Sequence, residues 1–321
     1  MRDRPEGVTD ADVRAALADG WGITAGELEY RAVGAGSYHW AVDDRWFVTV
    51  DGLGFASSFA PLTRALETAV ALRRDAGLDF VVAPLGTPRV LWPLGHRHAM
   101  AVYPLMPGTA GDFGPHSPAS REAVLELIAA LHRATPAIAG LAEVTDLELP
   151  GHAELLDALA TLGTLWTGGP YAVPAQSLLA THQRKIHAWL DRRDRMAAGL
   201  KAGAAGWVIT HGEPHPGNVL HGPTGPLLID WDTTRIAPPE RDLWLLTKNP
   251  LEAGPSSEAT DLVRYTEITG RRPSAEALAF YRLNWILADI AVYTADLRRP
   301  HGPGGDAEDA LTYLEANLTT P

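Results

Sequence analysis

Apolar and polar positions change rhythm about a third of the way along the chain. Ahead of Pro104 the apolar residues come in short runs. Glu29–Val33, Tyr38–Val42, Trp46–Val50, Val81–Val82, Arg89–Leu91 and Ala99–Tyr103 read as strands. Asp43-Asp44-Arg45 joins the second run to the third as a compact hairpin turn. Two helices interrupt the strands. One opens at Thr9 and Asp12, a capping pair, and runs to about Ala18. The other spans Leu62 to Ala76, where Leu62, Leu66, Ala69, Val70 and Leu72 fall at helical spacing. This order predicts a small antiparallel sheet with a packed helix.

Pro104-Leu105-Met106-Pro107-Gly108 breaks the alternation and is the expected linker. Beyond it the period becomes helical, over roughly Pro118–Arg133, Ala153–Leu165, Gln176–Leu200, Pro239–Leu246, Ser256–Ile268 and Ser274–Leu297. The exception is Trp207 to Trp231, where short β-like runs flank polar loops. The expected class is α+β in two lobes: a small β-rich lobe at 1–103, a hinge at 104–108 and a larger helical lobe at 109–321. No internal repeat or low-complexity tract disturbs this division.

Charge and composition narrow the classes. The 321 residues carry 27 Lys and Arg against 39 Asp and Glu, a net charge of −12. Such a surface lacks the basic footprint that nucleic-acid binding requires. Cysteine is absent, which excludes disulfides and thiolate metal sites and fits a reducing compartment. The charged N-terminal stretch has no signal-peptide pattern, and no apolar run is long enough to cross a bilayer. A soluble cytoplasmic protein is expected, with no nucleic-acid or membrane partner; oligomeric state stays open.

Candidate chemistry concentrates between His211 and Asp232. Gly212, Pro214, Pro216 and Gly217 forbid a helix there, so a polar loop must lie between the apolar runs VIT and NVL. A further apolar run, Leu227-Leu228-Ile229, then ends in Asp230 and, two residues on, Asp232. Two carboxylates and an amide at one sheet edge are the groups phosphoryl transfer requires. In kinases the base stands two residues after a His and a metal-binding Asn five residues after the base. His211, Glu213 and Asn218 keep that spacing. His211 and His215 also bracket Glu213 in a superficially zinc-protease-like way. That motif, however, needs a helix and a Glu directly after the first His, and neither is present.

On these residues the chain resembles the aminoglycoside phosphotransferase family, relatives of protein kinases. HGEPHPGNVL from His211, LLIDWD ending at Asp232 and PPERDLW from Pro238 carry the resemblance. It implies a protein-kinase-like fold, ATP or GTP with Mg²⁺ as cofactors, and transfer of the γ-phosphate to a hydroxyl of a small polar molecule, an aminoglycoside-like antibiotic first. Glu213 would be the catalytic base, with His211 beside it. Asn218 and Asp230 would bind magnesium, and Asp242 would be a structural anchor. Gly34, Gly36 and Ser37 would cover the phosphates, and Ala101 to Leu105, including Tyr103 and Leu105, would form the hinge facing the base. Tyr38-His39-Trp40 and the VTVD strand loosely resemble spectinomycin-type phosphotransferases.

Two positions depart from the family pattern. Thr49 stands where the third-strand lysine belongs, which makes Glu67 of the following helix repulsive to a triphosphate unless it turns away or pairs with Arg64, Arg73 or Arg74. Glu213 replaces the more usual Asp, and its extra methylene moves the carboxylate by about 1 Å, a displacement that can cost ~100-fold in rate. An inactive nucleotide-binding relative and a kinase of choline, a sugar or another primary metabolite therefore stand as alternatives. On the acceptor side, Asp232, Trp285 and Asp289 are the expected contacts; Arg282, Trp285, Asp289 and Asp296 share a helical face.

Overall fold

The computed structural model describes residues 1–34, 36–54, 58–138, 140–247 and 258–320. The chain divides into two compact units. The first comprises Met1, Asp3–Thr145 and Ala204–Ser274; the second comprises Arg2, Asp146–Gly203 and Ala275–Pro321.

The first unit opens with helix α1 (Asp10–Trp21), whose Thr9 and Asp12 form a reciprocal capping box. The helix stops at Gly22 in the left-handed conformation, three residues beyond the expected end. Five strands follow: β1 (Leu28–Arg31), β2 (Ser37–Val42), β3 (Trp46–Gly52), β4 (Trp92–Leu94) and β5 (His98–Pro104). They form one antiparallel sheet in the order β1-β2-β3-β5-β4. Asp43 and Asp44 both take positive φ, 51° and 49°, and Arg45 N donates to Val42 O at 3.0 Å. That is a type I′ turn, whose twist matches the strands it joins.

Alternation along these strands builds two different faces. Trp40, Val42, Val48, Val50, Met100 and Val102 pack against Val13 and Leu17 of α1. On the opposite face Phe47, Ala99, Ala101 and Tyr103 meet Leu62 and Leu66 of helix α2 (Phe59–Arg74). Register places Ser37, His39, Thr49 and Asp51 on that second face as well.

Two strand expectations need correction. Arg89–Leu91 is not part of a strand; Val90 and Leu91 are apolar because they are buried against α2, and the strand begins at Trp92. Val81–Val82 makes only an isolated bridge, with Val82 N donating to Leu228 O at 3.0 Å.

The remainder of the first unit frames the polar loop. Strands β7 (Val208–Thr210) and β10 (Arg235–Ala237) pair on one side. On the other, β6 (Thr109–Ala110), β8 (Val219–Gly222) and β9 (Gly225–Leu228) form a second small sheet. Helices α3 (Pro118–Arg133), α6 (Glu240–Thr247) and α7 (Glu258–Thr269) complete this unit. The expected start of the last at Ser256 lies outside the described residues.

The second unit is helical: α4 (His152–Ala160), α5 (Ala172–Lys201), α8 (Ala275–Arg298) and α9 (Gly305–Thr319). Leu155, Leu179, Ile186, Leu287, Ile290 and Leu314 are among the buried residues of its core. Helix α4 ends five residues short of the expected Leu165: the Thr161 hydroxyl turns back to the Asp157 carbonyl at 2.6 Å as the helix stops. Among the described residues no helix is long and apolar enough to cross a membrane.

Candidate active site

The loop 211–218 is held mainly by backbone bonds, which suits a segment with two prolines and two glycines. His211 N and Gly212 N donate to the Asp242 carboxylate at 3.0 and 2.6 Å. Asp242 is fully buried and also meets His132 Nε2 at 2.9 Å. Burial by itself would raise its pKa, but hydrogen bonding from His132 and the neighbouring positive charges bring it below the usual value, so it stays ionised. Gly212 has φ of 108°, and a Cβ there would lie 2.4 Å from Arg241 Nη2 and 2.5 Å from Thr233 Oγ1. Only glycine fits.

Both ring nitrogens of His211 are engaged by backbone groups. Its Nε2 lies 2.8 Å from the Ile229 carbonyl, while Nδ1 accepts from Glu213 N at 3.2 Å. A carbonyl only accepts, so the proton is on Nε2 and the ring is neutral. Burial lowers its pKa to about 4, consistent with that tautomer. Trp231 packs edge-on against the imidazole at 4.6 Å.

Glu213 and Asn218 are bound together. Asn218 Nδ2 donates to the Glu213 carbonyl at 2.9 Å, and His215 N donates to the same oxygen at 2.9 Å. With its nitrogen committed, the buried Asn218 presents Oδ1 as its remaining polar atom. Asn218 also ties the loop to the strand end, since Ile229 N donates to its carbonyl at 3.1 Å. One residue further, Asp230 adopts positive φ, 67°, a conformation Asp tolerates better than most residues.

Four carboxyls feel one another here. Burial, and then the charge of Asp232, raise Glu213 to about 7, with Arg241 partly offsetting them. Asp51, contributed by β3, is raised to about 7 by burial and by Asp232, against the hydrogen bond from Ser37. Asp230 is open to solvent as a residue, yet its carboxyl is pushed well up by withdrawal from water. The charges of Asp232, Glu213 and Asp51 add to that push. Burial also raises Asp232, and the two aspartates share a hydrogen bond, so they titrate as a pair. Tyr103 closes the group: burial and the charges of Asp51, Asp230 and Asp232 raise its phenol, and its hydroxyl bonds the Thr49 side chain.

The site thus draws Asp51, Thr49 and Tyr103 from the sheet to Glu213, Asn218, Asp230 and Asp232. Gly34 and Gly36 both take positive φ beside Ser37, which binds Asp51 at 2.5 Å; residue 35 lies outside the described residues. Leu105 N is committed to the Arg45 carbonyl at 2.9 Å. Glu67 is exposed on α2, and the arginines offered as its partners pair elsewhere: Arg64 with Glu143, Arg73 with Asp79 and Arg74 with Asp75. Trp285 and Asp289 belong to the second unit. There Trp285 packs against the helical core, and Asp289 accepts from Asn317 Nδ2 at 3.3 Å. The reading of the sequence missed Asp51, Arg241 and His132 as parts of the site. Two of these had a local signal: Asp51 lies two residues from Thr49 and so on the same strand face, and Arg241 directly precedes the anchor Asp242.

Among the described residues no three His, Asp or Glu side chains converge to cage one metal ion by themselves. Magnesium does not need such a cage, because it binds through one or two carboxylates with phosphate oxygens and water. Asn218 Oδ1, Asp230 and an excess of crowded negative charge fit a cation that arrives with a nucleotide.

Residues 28–281 match the family model described as "Phosphotransferase enzyme family". Protein StrN of Streptomyces griseus is 32% identical over 251 residues, covering 74% of this chain and 70% of StrN. Among solved structures, spectinomycin phosphotransferase APH(9)-Ia, in complex with ADP and spectinomycin, aligns with a TM-score of 0.66 at 16% identity. That alignment covers 98% of this chain and 99% of the other. The macrolide 2'-phosphotransferase MphH of Brachybacterium faecium aligns with a TM-score of 0.51 at 19% identity, covering 97% and 99%. At such identities the structural likeness speaks for the fold.

Proposed function

The chain belongs to the Phosphotransferase enzyme family, the small-molecule kinases, and from that premise we propose that it moves the γ-phosphate of ATP or GTP to a hydroxyl of an aminoglycoside-like antibiotic in the cytoplasm. The observation that carries this reading is the bond from Asn218 Nδ2 to the Glu213 carbonyl, which locks the base and a metal ligand into one loop turn. Asn218 Oδ1 and Asp230 would hold Mg²⁺, which would shield the phosphate charge when bound.

Glu213 accepts the proton of the acceptor hydroxyl. The hydroxyl oxygen forms a bond to the γ-phosphorus as the bond to the β–γ bridging oxygen breaks, and the nucleoside diphosphate leaves with that electron pair. A carboxyl held at about 7 is well matched to taking a proton near neutrality. Burial and then Asp232 keep Glu213 in that range, and Asp242 keeps the loop backbone in place. The anionic surroundings also favour a cationic acceptor, as an amino-sugar is.

A second reading, nucleotide binding without turnover, is favoured by one feature. The sheet face that carries Ser37, His39, Thr49 and Asp51 places an acid, with no lysine, beside the site. One screen separates the two readings. Labelled γ-phosphate is offered with aminoglycosides, spectinomycin, nucleoside antibiotics and amino alcohols. A phosphorylated product that vanishes in Asp230→Asn supports transfer. Nucleotide binding with no product from any acceptor supports the second reading, and a product made equally well by Asp230→Asn removes the metal assignment.

A further inference from the structure

Helix α3 reaches the catalytic loop from both of its ends. At its last turn His132 meets Asp242, which carries the amides of His211 and Gly212. Two residues before its first turn, His116 Nε2 lies 2.8 Å from the carbonyl oxygen of Pro214. Pro214 directly follows Glu213 and has no N–H, so this buried carbonyl is its one backbone polar group.

The protonation pattern is fixed by the partners. A carbonyl only accepts, so His116 Nε2 donates and Nδ1 is left as an acceptor. Ser120 Oγ, in the first turn of α3, lies 3.3 Å from that Nδ1, and the same hydroxyl is 3.4 Å from His221 Nε2 on β8. Proton donors therefore run one way, from His221 through Ser120 and His116 to the loop. His116 is 5% exposed, and burial lowers its pKa, which keeps the ring neutral.

Loop bonds satisfy the rest of this backbone: Glu213 N binds His211, the Glu213 carbonyl receives His215 N and Asn218 Nδ2, and the His215 carbonyl receives Asn218 N. Among the described residues, His116 supplies the one hydrogen bond to the backbone of 213–215 that comes from outside the loop. Without it, the residue after the base would keep a buried carbonyl unsatisfied and would be released to turn toward water.

We propose that His116 is a positioning residue for the transfer reaction, clamping the Pro214 carbonyl so that Glu213 keeps its aim; this rests on the reading of Glu213 as the base. The test compares His116→Ala, His116→Gln and His116→Asn. A glutamine places an amide nitrogen near the position of Nε2, and an asparagine falls short of it. In each variant hydrogen exchange of residues 211–218 is measured, together with turnover of Mg·ATP, with spectinomycin, streptomycin or water as acceptor.

The alanine and asparagine variants should lose about 10- to 100-fold in kcat, the scale of an ~1 Å misplacement, with the KM for ATP within about 2-fold. Exchange in the loop should quicken, and the glutamine variant should recover both properties. Unchanged exchange and kcat in His116→Ala overturns the proposal, as does a glutamine variant as impaired as the asparagine one. If His116→Ala fails to fold, the Gln–Asn comparison decides alone. If the wild-type protein turns over no ATP with any acceptor, the functional reading fails; loop exchange then still tells whether the clamp exists.

Discussion

Asn218 Nδ2 donates to the carbonyl oxygen of Glu213 at 2.9 Å, so the proposed metal-binding amide and the proposed base cannot move independently. Asn218→Asp tests that coupling. The replacement turns the donor into an acceptor facing a carbonyl, while keeping an oxygen for a metal. The new carboxylate must swing away and take the loop with it. A fall of ~100-fold or more in kcat is expected, with the fold intact by circular dichroism. Wild-type turnover would show that the two residues act separately.

Asp242 should matter more to folding than to binding. It receives the amides of His211 and Gly212 and the imidazole of His132, all buried. Asp242→Ala leaves these donors without an acceptor, and breaking such a buried charged network costs about 3–5 kcal/mol. Urea unfolding should show an unfolding free energy lower by that amount. A loss below ~1 kcal/mol would mean water replaces the carboxylate.

Gly212→Ala should be severe for a different reason. A methyl group would meet Arg241 Nη2 at 2.4 Å and Thr233 Oγ1 at 2.5 Å on a backbone already at φ 108°. Steric overlap and positive φ together predict a loss above ~2 kcal/mol and no detectable turnover. A variant with normal melting temperature would contradict the loop conformation described above.

These sites differ in how far the sequence betrays them. Spacing alone exposes His211, Glu213 and Asn218, because all three fall within one short loop. The hairpin at Asp43-Asp44 and the capping box at Thr9 are equally local and were equally readable. Helix α9 goes beyond the helices expected above, although Ala310, Leu314 and Leu318 recur at helical spacing. Contacts that join distant segments left less trace. His132 lies 110 residues before Asp242, and Asp51 is far from Asp232 in sequence, so their encounter comes only from the fold. Glu67 shows the reverse problem. Its place on a helix was foreseeable, but which side of α2 is buried depended on the sheet beneath it.

Acidity offers a test with opposing signs. Asp51 and Glu213 titrate at about 7, above their ordinary 3.8 and 4.5, so ionising them in the folded protein costs stability. That cost is absent below the ordinary values and complete above about 7. His39, His211 and His215, each lowered to about 4 from 6.5, act oppositely: stability is lost as pH falls from 6.5 toward 4. Added Mg²⁺ with a non-hydrolysable ATP analogue neutralises the carboxylates and leaves the histidines alone. The gain in melting temperature should therefore be larger at pH 8 than at pH 5.5. Equal gains at both values would mean the cation binds away from these acids.

Asp51 is the sharpest probe of what replaces the absent lysine. It accepts from Ser37 Oγ at 2.5 Å and lies close enough to raise Asp230 and the Tyr103 phenol, yet it adds negative charge where a triphosphate must settle. Asp51→Asn keeps an oxygen for Ser37 and removes that charge. At a separation of several ångströms in a partly hydrated site, losing one repulsion is worth about 1 kcal/mol, or ~5-fold in affinity. Nucleotide measured without magnesium should therefore bind more tightly to the variant, and the magnesium dependence of binding should shrink. Weaker binding with magnesium present would reverse the interpretation: the Asp51 carboxylate would then belong to the cation-binding set and stand in for the lysine by holding the ion that neutralises the phosphates.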